Sequence, residues 1–305
     1  MKKTLFFGNG LNRCSKYSKS WDEILKEIKG ISGLLSGVSN TLQYEDIYLN
    51  LNYEDYEDKP KLQKKKSIEW QMKKSLADEI DKTNGNVLFS VIAKMDFDNY
   101  ITTNYDHLLE KQLVMDGFSL DEKDDHETLY SIMRKKVYSK GEIIKTIWNI
   151  HGDIKYPQSM MLGYDHYCGA LGKVTSFVKG NYTNTTSNKK IDSMPKRMEI
   201  KDKSIISWID LMFTTDVYIV GFGMDFSEQD IWWILNKRQR FIKEGKINSE
   251  NKIFYFNIDN KDKKEILESF GVTVKNSEKP KDDDWTKCYE QILDGISKSY
   301  KKEIR

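Results

Sequence analysis

Residues 1–13 read MKKTLFFGNGLNR. Leu5, Phe6 and Phe7 form an apolar run that stops at Gly8-Asn9-Gly10. This predicts a strand over residues 4–7, then a tight turn into a helix. Bare main chain at such a turn can approach a pyrophosphate, and the helix N-terminus that follows favours its charge. By itself the motif fits a ligand-free turn as well. The third glycine of the ordinary dinucleotide fingerprint is absent, with Arg13 in its place. The acidic residue expected about 20 positions further on has no candidate at a strand end. The stretch therefore opens an α/β fold without marking a standard dehydrogenase.

The same punctuation recurs along the chain. Strands expected at 100–103, 146–150, 216–220 and 253–256, several of them apolar throughout, end at Asn104-Tyr105-Asp106, His151-Gly152-Asp153, Gly221-Phe222-Gly223 and Asn257-Ile258-Asp259. Between them lie helical patterns. Ser20-Trp21-Asp22-Glu23 reads as a capping box before Trp21, Ile24, Leu25 and Ile28 at helical spacing. Helices are also expected through Leu108, Leu109 and Leu113, and from Ser227-Glu228-Gln229-Asp230, which reads as the cap of the helix that follows. Residues 121–125 read as a charged loop. Apolar strands alternating with helices predict a Rossmann-like parallel sheet covered on both faces, with ligands beyond the carboxyl ends of the strands. The five strand ends should therefore converge on one rim. One domain over 1–305 is expected, with a helical insertion at about 31–98 and a C-terminal helix at 285–300. Residues 180–195 read as a flexible loop and a candidate lid over the site.

Composition narrows the function classes. The 305 residues carry 49 basic and 47 acidic side chains, a net charge of +2, so no direct contact with nucleic acid is expected. No run approaches the roughly 20 apolar residues that cross a bilayer, and no apolar signal core follows Met1-Lys2-Lys3. Cys14, Cys168 and Cys288 form no CxxC pair and are odd in number, which suits a reducing compartment. Neither the cysteines nor His107, His126 and His166 show metal-ligand spacing, so no metal is expected. The cytoplasm is the expected location.

Taken together and in order, Gly8-Asn9-Gly10, Thr102-Thr103-Asn104-Tyr105-Asp106, His151-Gly152, Gly221-Phe222-Gly223 and Asn257 resemble the sirtuin superfamily. Its members carry a GAG turn, a T-Q-N-[IV]-D strand end, a catalytic H-G, a G-[TS]-S strand end and an Asn after a late strand. The chain is more similar still to the SIR2-like branch of prokaryotic defence systems, through S-W-x-x-[IL]-L at 20–25 and G-[FY]-[SG]-[LMF]-x-[FD] at 221–226. The resemblance spans roughly residues 4–275. The paired-cysteine zinc module and the G-I-P-D-F-R segment of protein-deacylating sirtuins are absent.

This resemblance implies a Rossmann-like NAD-binding fold and, for many such members, hydrolysis of NAD to nicotinamide and ADP-ribose as an effector of anti-phage defence. Asn104 and His151 are the catalytic candidates. Asn104 suits a ribose hydroxyl or the attacking water, and His151 a general base near neutral pH. Gly8, Gly10 and Gly221 are expected to admit the pyrophosphate, Asp106 to accept from the carboxamide, and Asn257 to hold the adenosine ribose. Asn9, Asn12 and Gly223 complete the set expected to bind NAD. Arg13 reads equally as a phosphate ligand or a surface residue. Two other readings stay open: a sensor or scaffold that binds NAD or ADP-ribose without hydrolysing it, and a protein deacylase or ADP-ribosyltransferase. Since a free NAD hydrolase would kill its host, activity is expected to depend on assembly. The candidates are a homo-oligomer, or a partner of the Argonaute-like, ATPase or nucleotide-pyrophosphatase-like kind.

Overall fold

The computed structural model describes residues 2–29, 34–50, 67–124, 129–184, 186–200, 204–258, 263–277, 280, 282 and 284–303. In chain order the elements are β1 (Lys3–Phe7), α1 (Asn9–Asn12), α2 (Trp21–Lys29), α3 (Asn40–Leu49), α4 (Ile68–Ile80), α5 (Val87–Lys94), β2 (Asn99–Thr102), α6 (Leu108–Met115), β3 (Ser119–Asp124), β4 (Lys135–Lys140), β5 (Ile143–Asn149), a 3-10 turn (Pro157–Ser159), α7 (Tyr164–Lys179), α8 (Met194–Glu199), α9 (Trp208–Thr214), β6 (Asp216–Val220), α10 (Gln229–Lys243), β7 (Ile253–Ile258), α11 (Lys264–Ser269), β8 (Val272–Ser277) and α12 (Trp285–Glu303).

The fold is α/β and Rossmann-like. Eight strands form one sheet in the order β3-β4-β5-β2-β1-β6-β7-β8. From β5 to β8 the pairings are parallel, with Leu5 of β1 level with Tyr100 of β2 and Tyr218 of β6. Strand β1 therefore sits in the middle and is buried on both faces. Its alternation shows this: Leu5 and Phe7 pack with helix residues Leu88, Leu109 and Leu293, while Phe6 packs with Phe177, Trp208 and Ile234 on the other side. A strand that meets apolar layers on both faces must be apolar throughout, which is why β1 and β6 read as continuous runs.

The charged stretch at 121–125 was expected as a loop, and the structure corrects this. Residues 119–124 form the edge strand β3, antiparallel to β4, which is itself antiparallel to β5. No apolar period marks β3, because an edge strand is held by main-chain pairing on one side only. Asp125 lies outside the described residues.

The insertion between α2 and β2 is helical where described, and residues 31–33 and 51–66 lie outside the described residues. Ser39, Ser67 and Asn86 cap the three helices found among its described residues through their side-chain oxygens. Leu25, Tyr44, Ile47, Met72 and Leu76 pack onto Tyr105, Met160 and Leu162 beyond the carboxyl ends of β2 and β5. The insertion thus roofs the rim that the strand ends form. The 180–195 segment lies elsewhere. Thr183 and Lys190 bridge across it, and Tyr182 and Met194 anchor it in the core beside Phe177. The C-terminal helix, expected at 285–300, is α12. Among the described residues no helix is long and apolar enough to cross a membrane.

Candidate functional site

The chain after β1 makes a single helical turn, α1, which carries Asn12 inward. After β2, the Thr102 hydroxyl accepts from the Asn104 amide at 3.0 Å and turns the chain. These two turns bring three polar side chains into a buried line. Asp106 accepts from the Leu108 amide at 3.0 Å and from Asn12 Nδ2 at 2.5 Å. Asn12 Oδ1 in turn accepts from Asn104 Nδ2 at 2.9 Å. The acceptor at one end fixes the direction of the line: Asn12 must give its amide to Asp106, so Asn104 must give its own to Asn12. Asn104 Oδ1 is left without a protein partner among the described residues. Burial, the largest influence, pushes the Asp106 carboxyl up, while the Leu108 and Asn12 donors oppose it.

Strand β5 delivers His151 to the same place. The glycine after it, with φ +122°, lets the chain turn back against the Pro157–Ser159 segment. A Cβ there would lie 2.6 Å from Met160 Cα and from the Ser159 carbonyl oxygen. The His151 ring is 1% exposed. Its Nε2 lies 3.0 Å from Asp230 Oδ2, and its Nδ1 lies 3.4 Å from the Tyr167 hydroxyl and 3.6 Å from Glu228 Oε2. Tyr167 donates to Glu228 at 3.0 Å. Burial works against the imidazolium, but the Asp230 and Glu228 charges outweigh it and the His151 pKa is raised. Glu228 is pushed up to about 7, first by burial.

Asn12, Asn104, Asp106, His151, Tyr167 and Glu228 all line one cavity, and Asn9 stands at its edge. Trp21 and Ile24 of α2 and Ile80 of α4 close the opposite wall. None of the described residues from 180 to 195 lines it. The space is about 60 Å³, well below the roughly 300 Å³ at which ligand pockets begin. Lys19 holds the wall shut by pairing with Glu27 at 2.7 Å and with Glu79 at 3.1 Å.

Gly8, Gly10 and Gly221 are brought together beside the cavity and do not line it. The Gly10 amide donates to the Gly221 carbonyl at 2.8 Å. A Cβ on Gly10 would lie 2.5 Å from the Tyr289 hydroxyl and 2.6 Å from that carbonyl oxygen, and one on Gly8 would lie 2.7 Å from the Phe222 ring. Here the bare main chain serves the packing of β1 against β6 and α12. Gly223 is exposed, and its carbonyl accepts from Lys263 at 2.9 Å. Asn257 lies in β7, one strand beyond β6, with its side chain outside the described residues. Arg13 pairs on the surface with Glu23 at 2.9 Å.

The other histidines have structural partners. His107 meets Asp153 at 2.7 Å, and His166 accepts from the Leu162 and Gly163 amides while meeting Glu69 at 2.6 Å. His126 lies outside the described residues. The segment Ser227-Glu228-Gln229-Asp230 was expected to cap its helix, and it does not. Glu228 is the N-cap residue without a side-chain cap bond, and Ser227 bonds Asp225 instead. Glu228 and Asp230 are turned toward His151. The sequence assigns neither a site role, and their spacing of two carries no signal, since residues two apart do not share a helix face.

His151, Glu228 and Asp230 place their donor atoms within 4.8 Å of one another. The two carboxylates approach opposite nitrogens of the ring, so one ion cannot take a ring lone pair and both carboxylates from the same side. The group is a hydrogen-bonded cluster.

No curated protein matches the chain. The model of a family described as SIR2-like domain matches residues 98–274, more than half of the 305 residues, from just before β2 into β8. The matched segment holds Asn104, Asp106, His151, Tyr167, Glu228 and Asp230. The chain therefore belongs to the SIR2-like domain family, within the sirtuin superfamily, with the NAD-related role that membership carries.

Proposed function

We propose that this protein is an NAD glycohydrolase that cleaves NAD to nicotinamide and ADP-ribose. The observation that carries this reading is the shared cavity of Asn104 and His151, from strand ends 47 residues apart (151 − 104). Nicotinamide leaves a cationic ring as a neutral molecule, so the protein must chiefly hold the ribose and orient an acceptor. The uncommitted Asn104 Oδ1 suits a ribose hydroxyl or the incoming water. The Asp106–Asn12 line holds the carboxamide in that orientation, so Asp106 works through Asn104 more than on the nicotinamide. His151 takes the proton. Lys19, which lines the cavity, and Lys263, which donates to the Gly223 carbonyl, are cations suited to a pyrophosphate. No step needs a metal.

The size of the cavity favours gating. A dinucleotide enters only when α2 and α4 move off the rim, and assembly with further copies or a partner subunit is the event that would move them. This agrees with an effector that depletes NAD during anti-phage defence. The test is incubation with NAD and chromatography for nicotinamide, alone and with proteins copurified from the native operon. Nicotinamide should appear, more of it in the assembled state, and Asn104→Ala and His151→Ala should each abolish it. Turnover persisting in both variants would remove these residues from the mechanism. Full turnover by the isolated chain would end the gating idea.

A further inference from the structure

Among the described residues, Glu228 makes no side-chain cap bond at the start of α10, and neither Glu228 nor Asp230 forms an ion pair with a lysine or arginine. Among the described residues, the ion-pair partner of both Glu228 and Asp230 is His151. The two differ in place. Glu228 lines the cavity, whereas Asp230, 2% exposed, lies behind the ring and is absent from the lining. Asp230 also accepts from the Ile231 amide at 3.0 Å, which locks its orientation. An ionised Asp230 requires Nε2 of His151 to carry its proton. That leaves Nδ1, on the side of Tyr167 and Glu228, as the basic nitrogen.

We propose that Glu228 is a second acid–base residue of the site, sharing with His151 the proton released by the acceptor, and that Asp230 is a positioning residue that sets the tautomer of His151. The proposal rests on the hydrolase reading for its chemistry. In the step, the water oxygen bonds to ribose C1′ as the C1′–nitrogen bond to nicotinamide breaks. The nicotinamide nitrogen keeps that electron pair and leaves neutral. The proton lost by the water goes to His151 Nδ1 and is held between it and Glu228 Oε2 until it exchanges with solvent.

The surroundings suit this role. A carboxyl pushed up to about 7 can accept and release a proton near neutral pH. The groups that act on it come from every side: Asp230 and Asp225 raise it, while His151 and the Tyr167 hydroxyl lower it. Tyr105 and Lys263 also feel its charge. Because the pair is coupled, its two pKa values belong to His151 and Glu228 jointly.

Two readouts on the full chain test the proposal, using Glu228→Gln, Asp230→Asn and the milder Tyr167→Phe. The first is NMR titration of the His151 ring, which needs no turnover. Its midpoint should lie above the ordinary 6.5 and fall by about half a unit or more in Glu228→Gln and in Asp230→Asn. The second is the pH profile of NAD turnover. In Glu228→Gln, kcat should drop by about tenfold or more with KM within about threefold, and the limb near neutral pH should vanish. Tyr167→Phe removes a donor to the Glu228 carboxylate and should move that limb to higher pH. A His151 midpoint unmoved in both carboxylate variants overturns the proposal, as does wild-type kcat in Glu228→Gln. If the His151 titration shifts while the wild type releases no nicotinamide under any condition, the coupled pair stands and the hydrolase reading falls.

Discussion

His151 and Asp153 are separated by one glycine, yet they belong to two buried clusters of opposite character. Asp153 meets Lys136 and His107, each at 2.7 Å, and Lys136 reaches on to Glu110 at 3.0 Å. Cations answer both carboxylates there, and Asp153 is held well below the usual carboxylate range by its His107 and Lys136 partners against the cost of burial. Among the described residues the two carboxylates of Glu228 and Asp230 share one ion-pair partner, His151, and Glu228 rises to about 7. The difference teaches what makes a buried charge group structural. A lysine fixes one protonation state over the whole physiological range, whereas a histidine leaves the proton free to move.

The comparison breaks most visibly at the cavity. Asn104→Ala and His151→Ala should each cut nicotinamide release by about 10²–10⁴-fold, with melting checked alongside. In the compensated cluster, Lys136→Met strands buried Glu110, leaves Asp153 to His107, and should cost about 3–5 kcal/mol in denaturant unfolding. Turnover per folded molecule should be kept, because none of that cluster's groups lines the cavity.

The two clusters should also respond to pH in opposite senses. Glu228 has a folded pKa above its ordinary 4.5. Its stabilising contribution is therefore complete below 4.5 and is lost as the pH rises through about 7. Relative to Glu228→Gln, the wild type should lose on the order of 2–3 kcal/mol across that window. Asp153 is depressed, so its contribution is present above its ordinary 3.8 and is lost as the pH falls below that value. Unfolding curves of wild type and Asp153→Asn should converge in acid and separate toward neutrality. Parallel pH curves for the two variants would remove the distinction.

Gly10→Ala sharpens the same theme of protein contact against ligand contact. Its Cβ would press on the Gly221 carbonyl and the Tyr289 hydroxyl, so a loss of about 1–3 kcal/mol is expected with no ligand present. A neutral effect on stability with lost NAD binding would return the turn to a purely ligand-facing role. The smallest expected effect is that of a chelator: turnover should be unchanged, since the carboxylates sit on opposite sides of the His151 ring.

Much of the fold was legible because parallel strands declare themselves. Residues 5–7, 217–220 and 253–256 are apolar throughout, and the Ser20–Glu23 capping box is made as written, Glu23 accepting from the Ser20 amide at 2.6 Å. Edge strand β3 was not legible, since its pairing with β4 depends on partners 11 or more residues away. In the site, Asn104 and His151 could be singled out because each ends a strand. Glu228 and Asp230 could not, because their partner lies 77 and 79 residues back (228 − 151 and 230 − 151).

The parallel strands along the chain and the polar residues at their carboxyl ends follow from the sequence alone, because apolar runs and turn chemistry act over a few neighbouring residues. Whether each glycine faces a ligand or another strand depended on the three-dimensional arrangement. So did which carboxylate meets a lysine and which meets His151, and how tightly the insertion closes over the rim. Burial and charge act through space, and only the folded chain sets those distances.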